Sequence, residues 1–397
     1  MNSKEQLNIL QPEDFELRLS RVLSLMEDSG YDSLIVNINA NLYYLSGRVF
    51  NGLIYVSRAT RRAYNFVRRP NHLEGADTYG IHKFENIPDI IEREGLPALG
   101  RTAFELTLTS YSTIQRLVKA LGVEIAGDAD AVLRAARSVK TPVEQQLIAE
   151  CGIKHERVYR RIPGLYREGM TDVELQVEIE RLSRLEGCIG QFRAAGTDME
   201  IHMGNVLSGD NADTPSPYDF SMGGRGMDPS LPIGADNSVI RHNTAVMVDT
   251  NGSFNGYMTD MTRTFAAGKI GELAERAHQL SIDITHRMGE MSRPGAKASA
   301  LYEEALAMAT EAGLLEYFMG HRQHAGFVGH GIGIEINESP VISPRSRDIL
   351  AVGNVIAFEP KFVIPGVGAV GIENSYIIGE DATRCVTNAP EQLIELV

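Results

Sequence analysis

Four acidic residues and one histidine in the C-terminal half of the chain sit in segments otherwise rich in Val, Ile, Met and Phe. They are Asp249 and Asp260 in TAVMVDTNGSFNGYMTDMTRTF, Glu359 and Glu373 in VIAFEPKFVIPGVGAVGIENSYII, and His330 in GFVGHGIGIEINESP. In the first segment, β-branched and apolar residues flank Asn251-Gly252-Ser253, which reads as two strands joined by a turn. A turn centred between Phe254 and Asn255 sets Asp249 directly opposite Asp260, with Cβ atoms about 5 Å apart. In the second segment Pro365-Gly366 signals a turn, and pairing about Gly366 sets Glu359 opposite Glu373. Like charges at such separations are unfavourable unless a cation neutralises them, and a carboxylate among apolar neighbours is costly without a partner. Two acid pairs in independent hairpins therefore point to metal.

His330 supplies the nitrogen donor. Gly329, Gly331 and Gly333 around it allow close approach of the backbone to a site. GHGIG lacks the third spaced glycine and the helix start of a dinucleotide fingerprint. Four carboxylates and one imidazole, without thiolates, suit two divalent ions, Mn(II) foremost and Co(II), Fe(II) or Zn(II) as alternatives. Two such ions can share a bridging water, lower its pKa and polarise a carbonyl, which is hydrolytic chemistry.

The elements that would carry these residues are legible in the apolar spacing. Phe15, Leu19, Val22, Leu23 and Met26 recur at helical intervals before Gly30, and Ile114, Leu117, Val118 and Leu121 do so before Gly122. SLIVN and LIYVS read as strands. Thr141-Pro142-Val143-Glu144 has the residues of a capping box with proline at the first helical position, and Thr171 with Glu174 repeats the box. Helical stretches near 272–291 and 298–312 follow. The expected layout is a smaller mixed domain over residues 1–138 and a catalytic domain over 139–397, since 397 residues exceed one ordinary core.

Composition removes several classes. The net charge of −14 makes a phosphate backbone or an anionic membrane an unsuitable partner. No apolar run is long enough to span a bilayer, and the polar, acidic start MNSKEQLNILQPEDFE does not read as a signal peptide. Three widely separated cysteines, Cys151, Cys188 and Cys385, fit reduced thiols in a cytoplasmic protein.

VDTNGSFNGYMTDMTRTF, GHGIGIEINESP, FEPKF and GIEN, in this order, resemble the metal motifs of the creatinase/prolidase/aminopeptidase P superfamily, the pita-bread metallopeptidases. RSVKTPVEQQLIAECGIKHE is similar to that family's linker and first catalytic helix, and residues 13–135 to its N-terminal domain. The resemblance implies an α+β fold: a creatinase-like N-terminal domain and a pita-bread catalytic domain. It implies Asp249, Asp260, His330, Glu359 and Glu373 as metal ligands, Asp260 and Glu373 bridging, and Glu359 shuttling the proton. The implied reaction is hydrolysis of a small peptide or amide by a metal-bridging hydroxide, in the manner of an Xaa-Pro dipeptidase or aminopeptidase, and the implied assembly is a homodimer. The chain departs from the family where substrate binds: Asn337 replaces a histidine, position 326 is Gly326 where another is usual, and the 213–237 loop has none. His324 is then the candidate for the missing catalytic histidine. Asn337, Tyr218 and Arg225 are candidates for binding substrate, the last two from a 213–237 loop that could act as a lid, with Phe220 beside them. Thr262 and Arg263 are expected to support the strand. These departures leave open a non-peptidase member, a lyase or amidohydrolase on a small metabolite, or a metal-binding paralogue without activity.

Overall fold

The computed structural model of the chain describes residues 10–70, 75–196, 200–218, 220 and 222–396, so most of the polar N-terminal stretch and parts of the 213–237 loop lie outside the described residues. By backbone contacts the chain divides into two units, Met1–Arg137 and Ser138–Val397.

In the first unit, α1 (Pro12–Ser29) buries Val22, Leu23 and Met26, and ends at Gly30, whose φ of 70° closes the helix as a left-handed cap. There follow β1 (Ser33–Val36), α2 (Asn39–Ser46), β2 (Asn51–Ser57), β3 (Arg62–Arg69), β4 (Thr78–Gly80), α3 (Ile87–Arg93), β5 (Thr102–Phe104), α4 (Tyr111–Leu121), β6 (Ile125–Asp128) and α5 (Asp130–Ser138). The strands form one mixed sheet in the order β4-β3-β2-β1-β5-β6. Ile35, Leu53, Phe66, Phe104 and Leu117 lie in its core.

The second unit opens with α6 (Pro142–Tyr159) and α7 (Asp172–Leu185). Both helices start on the expected capping boxes, with Thr141 and Thr171 accepting from the amides of Glu144 and Glu174. After them come β7 (Gly204–Ser208), β8 (Thr244–Ser253), β9 (Met258–Ala267), α8 (Glu272–Met291), α9 (Ala298–Glu311), β10 (Gly329–Gly331), β11 (Glu338–Ile342), β12 (Val355–Phe358), β13 (Lys361–Ile364), β14 (Gly368–Gly371), β15 (Asn374–Ile378), β16 (Thr383–Cys385) and β17 (Ile394–Glu395). These strands make sheets ordered β17-β9-β8-β7 and β11-β10-β12-β15-β16, with β13-β14 as a separate ribbon.

Strand alternation decides which side chains meet in the middle. Val246, Val248, Met261 and Phe265 turn to a core shared with Val158, Leu175 and Ile179 of α6 and α7. Ile356, Phe358, Phe362 and Val370 turn to a core shared with Ile284, Met288 and Leu301 of α8 and α9. The residues of opposite parity, among them Met247, Val363 and Ala369, face the space between these layers. Asp249, Asp260, Glu359, Lys361 and Glu373 have that interior parity.

Candidate metal centre

The register of the first hairpin corrects the expectation from sequence. Asp249 pairs with Thr262, and Asp260 pairs with Asn251. The strands run through Asn251-Gly252-Ser253, and the turn falls over residues 254–257, where Gly256 has φ 89°. A pairing shift of two residues keeps every side chain on its face, so Asp249 and Asp260 remain diagonal neighbours pointing inward. In the second hairpin Phe358 pairs with Asn374 and Lys361 with Gly371, one register on both sides of the break at Glu359-Pro360. Glu359 and Glu373 therefore face each other there, as the turn at Gly366 implies. A bridge between Thr262 and Glu373 joins the two hairpins.

His330 lies in β10, paired with Ala357 on one side and Val341 on the other, where the ladder with β11 shifts register. Its Nδ1 is 3.1 Å from the Gly331 carbonyl, which assigns the proton to that nitrogen and leaves the Nε2 lone pair for a ligand. Nε2 stands 3.4 Å from Glu359 Oε1 and 3.8 Å from Asp260 Oδ2. Gly329 and Gly331 serve the packing of the strand: a Cβ on Gly329 would meet the Ala357 carbonyl at 2.5 Å, and one on Gly331 the Ser339 carbonyl at 2.2 Å.

Two overlapping groups of donors could each hold an ion: Asp260, His330 and Glu373, and Asp249, Glu359 and Glu373. Glu373 Oε2 accepts from Thr262 Oγ1 at 2.9 Å, while Glu373 Oε1 is buried without a hydrogen-bond partner. A buried, unpartnered carboxylate oxygen beside an imidazole lone pair fits a divalent cation. Electrostatics agree with this. Burial, followed by repulsion from Glu373, Asp249 and Glu359, pushes the Asp260 carboxyl well above its ordinary range. Burial likewise pushes Glu373 up to about 8 against the pull of Lys361. Burial opposes charge on Glu359 and on His330 too, but Lys361 and His330 hold Glu359 down at about 2, and Glu359 holds His330 up at about 9.

The acids floor a cleft whose empty space, counted together with the solvent at its mouth, is about 570 Å³. Phe192, Phe220, Met222, Phe327, Ile336 and Asn337 form much of its wall. The segment between His330 and Asn337 is held by Glu338, which accepts from the amides of Ile334 and Glu335 at 3.1 Å and is paired with Lys140 at 2.9 Å.

The remaining residues singled out from sequence are dispersed. Asn337 lines the cleft, but its amide is engaged with the backbone of Ala195, accepting at 2.7 Å and donating at 3.0 Å. His324 lies in a neighbouring cavity with Tyr218, away from the wall of the metal cleft, and its Nδ1 is 2.9 Å from the Phe318 carbonyl. Arg225 is exposed and 3.8 Å from Asp236 in another groove. Of the 213–237 loop, Phe220 and Met222 reach the cleft. Arg263 is a support, donating to the carbonyls of Thr262 at 2.7 Å and Glu373 at 2.8 Å.

Lys361 was not singled out as a site residue by its sequence context. It is fully buried, and its Nζ donates to Asp249 Oδ2 and Glu359 Oε2 at 2.8 Å and to Glu373 Oε2 at 3.1 Å. The signal was its place two residues after Glu359, since strand period two puts both on one face.

Fold and site together define a pita-bread metal-binding domain carried with a creatinase-like N-terminal domain. Residues 146–380 match the metallopeptidase family M24 and residues 18–139 the creatinase/prolidase N-terminal domain, so the chain belongs to metallopeptidase family M24, within the creatinase/prolidase/aminopeptidase P superfamily. It is 25% identical over 382 residues to an Xaa-Pro dipeptidase of Pyrococcus horikoshii, covering 95% of this chain and 98% of that one. It is 30% identical over 279 residues to a probable dipeptidase PepE of Mycobacterium bovis, covering 70% and 66%. Among solved structures, an Xaa-Pro dipeptidase from Bacillus anthracis superposes with a TM-score of 0.79 at 22% identity, covering 96% of this chain and 99% of that chain.

Proposed function

We propose that this chain is a metal-dependent hydrolase of small peptides, of Xaa-Pro dipeptidase or aminopeptidase type, with Asp249, Asp260, His330, Glu359 and Glu373 as the side chains of its metal centre. The observation that carries this is the convergence of five candidate donors from two hairpins and a third strand around the unpartnered Glu373 Oε1, at the floor of one cleft. The names of the relatives, dipeptidases at 25–30% identity, support the reaction class. A bound divalent ion supplies Lewis acidity toward a peptide carbonyl and lowers the pKa of water. The chain's own residues do the rest. Glu359, facing the cleft, takes a proton from the attacking water and returns it to the leaving amine. Phe192, Phe327 and Ile336 exclude solvent and pack the side chains of the peptide. Oxygen-rich ligation with one imidazole suits Mn(II), with Co(II), Fe(II) and Zn(II) as alternatives. A cytoplasmic homodimer accompanies this reading by family resemblance.

A second reading, a lyase or amidohydrolase on a small metabolite, is favoured by Asn337. At this position, where family members carry a histidine, the amide is already spent on Ala195. Purified enzyme reconstituted with Mn(II) and assayed on Xaa-Pro dipeptides and longer Xaa-Pro peptides separates the two. Metal content with cleavage, both lost in Asp260→Ala, is the expected result. Metal without cleavage of any peptide would transfer the site to the second reading.

A further inference from the structure

The two donor groups of the centre are not equivalent. Lys361 Nζ sits within 2.8 Å of Asp249 Oδ2 and of Glu359 Oε2 and 3.1 Å from Glu373 Oε2. Those three residues are one of the two groups able to hold an ion. Each separation is that of an ammonium hydrogen-bonded to a carboxylate. A divalent ion on the same oxygens would stand about 2.0–2.2 Å from each, in space the ammonium fills. The lysine backbone is pinned as well: Lys361 pairs with Gly371 in the β13–β14 ribbon, and its carbonyl accepts from Met319 at 2.8 Å. The side chain has no exposure to solvent. The other group, Asp260, His330 and Glu373, keeps the unpartnered Glu373 Oε1, and no ammonium of the described residues lies between its members, whose His330 Nε2 stands 3.8 Å from Asp260 Oδ2.

We propose that the centre takes a single divalent ion, at Asp260, His330 and Glu373, and that the Lys361 ammonium occupies the second cation position as a permanent part of the protein. This deepens the reading of the cleft as a metal centre and rests on it, whichever substrate is turned over. Lys361 is then a positioning residue: it holds Asp249, Glu359 and Glu373 in place with a single positive charge, where a second metal would supply two.

The test is metal stoichiometry rather than turnover. Wild-type protein is saturated with Mn(II), freed of excess and analysed for metal per chain, alongside Lys361→Gly and Lys361→Met. The expected result is one ion per chain in the wild type and in Lys361→Met, whose soft thioether is a poor donor for Mn(II) and whose side chain still fills the space, rising to two in Lys361→Gly. Anomalous diffraction from Mn(II)-soaked wild-type crystals should show one peak, between Asp260, His330 and Glu373, so the proposal stands or falls even if a variant does not fold. Two peaks in the wild type, or one peak on Asp249 and Glu359 with Nζ displaced, would overturn it and leave the metal centre intact. No bound metal in any form would remove this proposal and the hydrolase reading together.

Discussion

Thr262 shows how much of this centre is set by residues that need not touch an ion. It is buried in β9, and its hydroxyl donates to Glu373 Oε2 at 2.9 Å, which orients that carboxylate and leaves Oε1 turned away. Partners that orient a ligating carboxylate are typically worth about 10–100-fold in metal affinity. Thr262→Val keeps the shape and removes the donor. Its Mn(II) dissociation constant, measured by calorimetry, is expected to rise about tenfold with unchanged circular dichroism. An unaltered constant would show that Lys361 alone orients Glu373. At this scale the sequence was only half legible. The four acids that the structure brings together stood out because acids in apolar strands demand a reason, whereas Lys361 looked like a strand residue until its neighbours across the layer were known.

At the scale of elements, the segment from β10 to β11 is the part of the cleft wall that most depends on one distant contact. Lys140, just ahead of α6, pairs with Glu338 at 2.9 Å, and both side chains are almost wholly buried. Removing one partner leaves an uncompensated buried charge, which costs about 3–5 kcal/mol. Lys140→Met should therefore lower the stability of this unit by about that amount and loosen the His330–Asn337 segment, read as faster amide exchange at Ile334 and Glu335. Exchange unchanged at these amides would mean that Glu338 holds them without its lysine. The hairpins teach a related lesson about turns. Asn-Gly is a strong turn signal, but Gly252 lies within β8, where a Cβ would meet the ring of His155 at 2.7 Å. The chain reverses later, and Phe254 and Tyr257 at the reversal are themselves buried. The error of two residues did no harm to the site because it preserved parity. An error of one would have turned Asp260 to the opposite core.

At the scale of the whole molecule, stability should depend on pH through histidines buried without charge. Burial, with a smaller contribution from Arg263, holds His155 down at about 3, and the ring lies 3.1 Å from both Thr259 Oγ1 and Thr250 Oγ1. Between its ordinary value of 6.5 and about 3, the unfolded chain binds a proton that the folded chain does not. The contribution is complete above 6.5 and is lost as the pH falls. Glu105, raised by burial to about 7, acts in the opposite direction over part of the same range, so a variant is needed to isolate the histidine. In urea titrations, the wild type should lose about 1.4 kcal/mol more than His155→Gln between pH 7.5 and 5.5. Equal losses would mean that other groups govern the acid limb.

The sequence by itself pointed to the capped helices and to the four acids that the structure brings together with His330, while the α+β fold was implied by the family resemblance. The helices and the acids depend on local periodicity and on the cost of burying charge, both readable along the chain. Only the tertiary structure decided that Asp249 and Asp260 meet diagonally, that the Asn337 amide is taken by Ala195, that His324 stands outside the cleft, and that the Lys361 ammonium lies among Asp249, Glu359 and Glu373. Each of those depends on packing between segments more than 90 residues apart in sequence or on the path of a loop. Hydrophobic patterning sets which face a residue takes, but not which distant atom waits on that face.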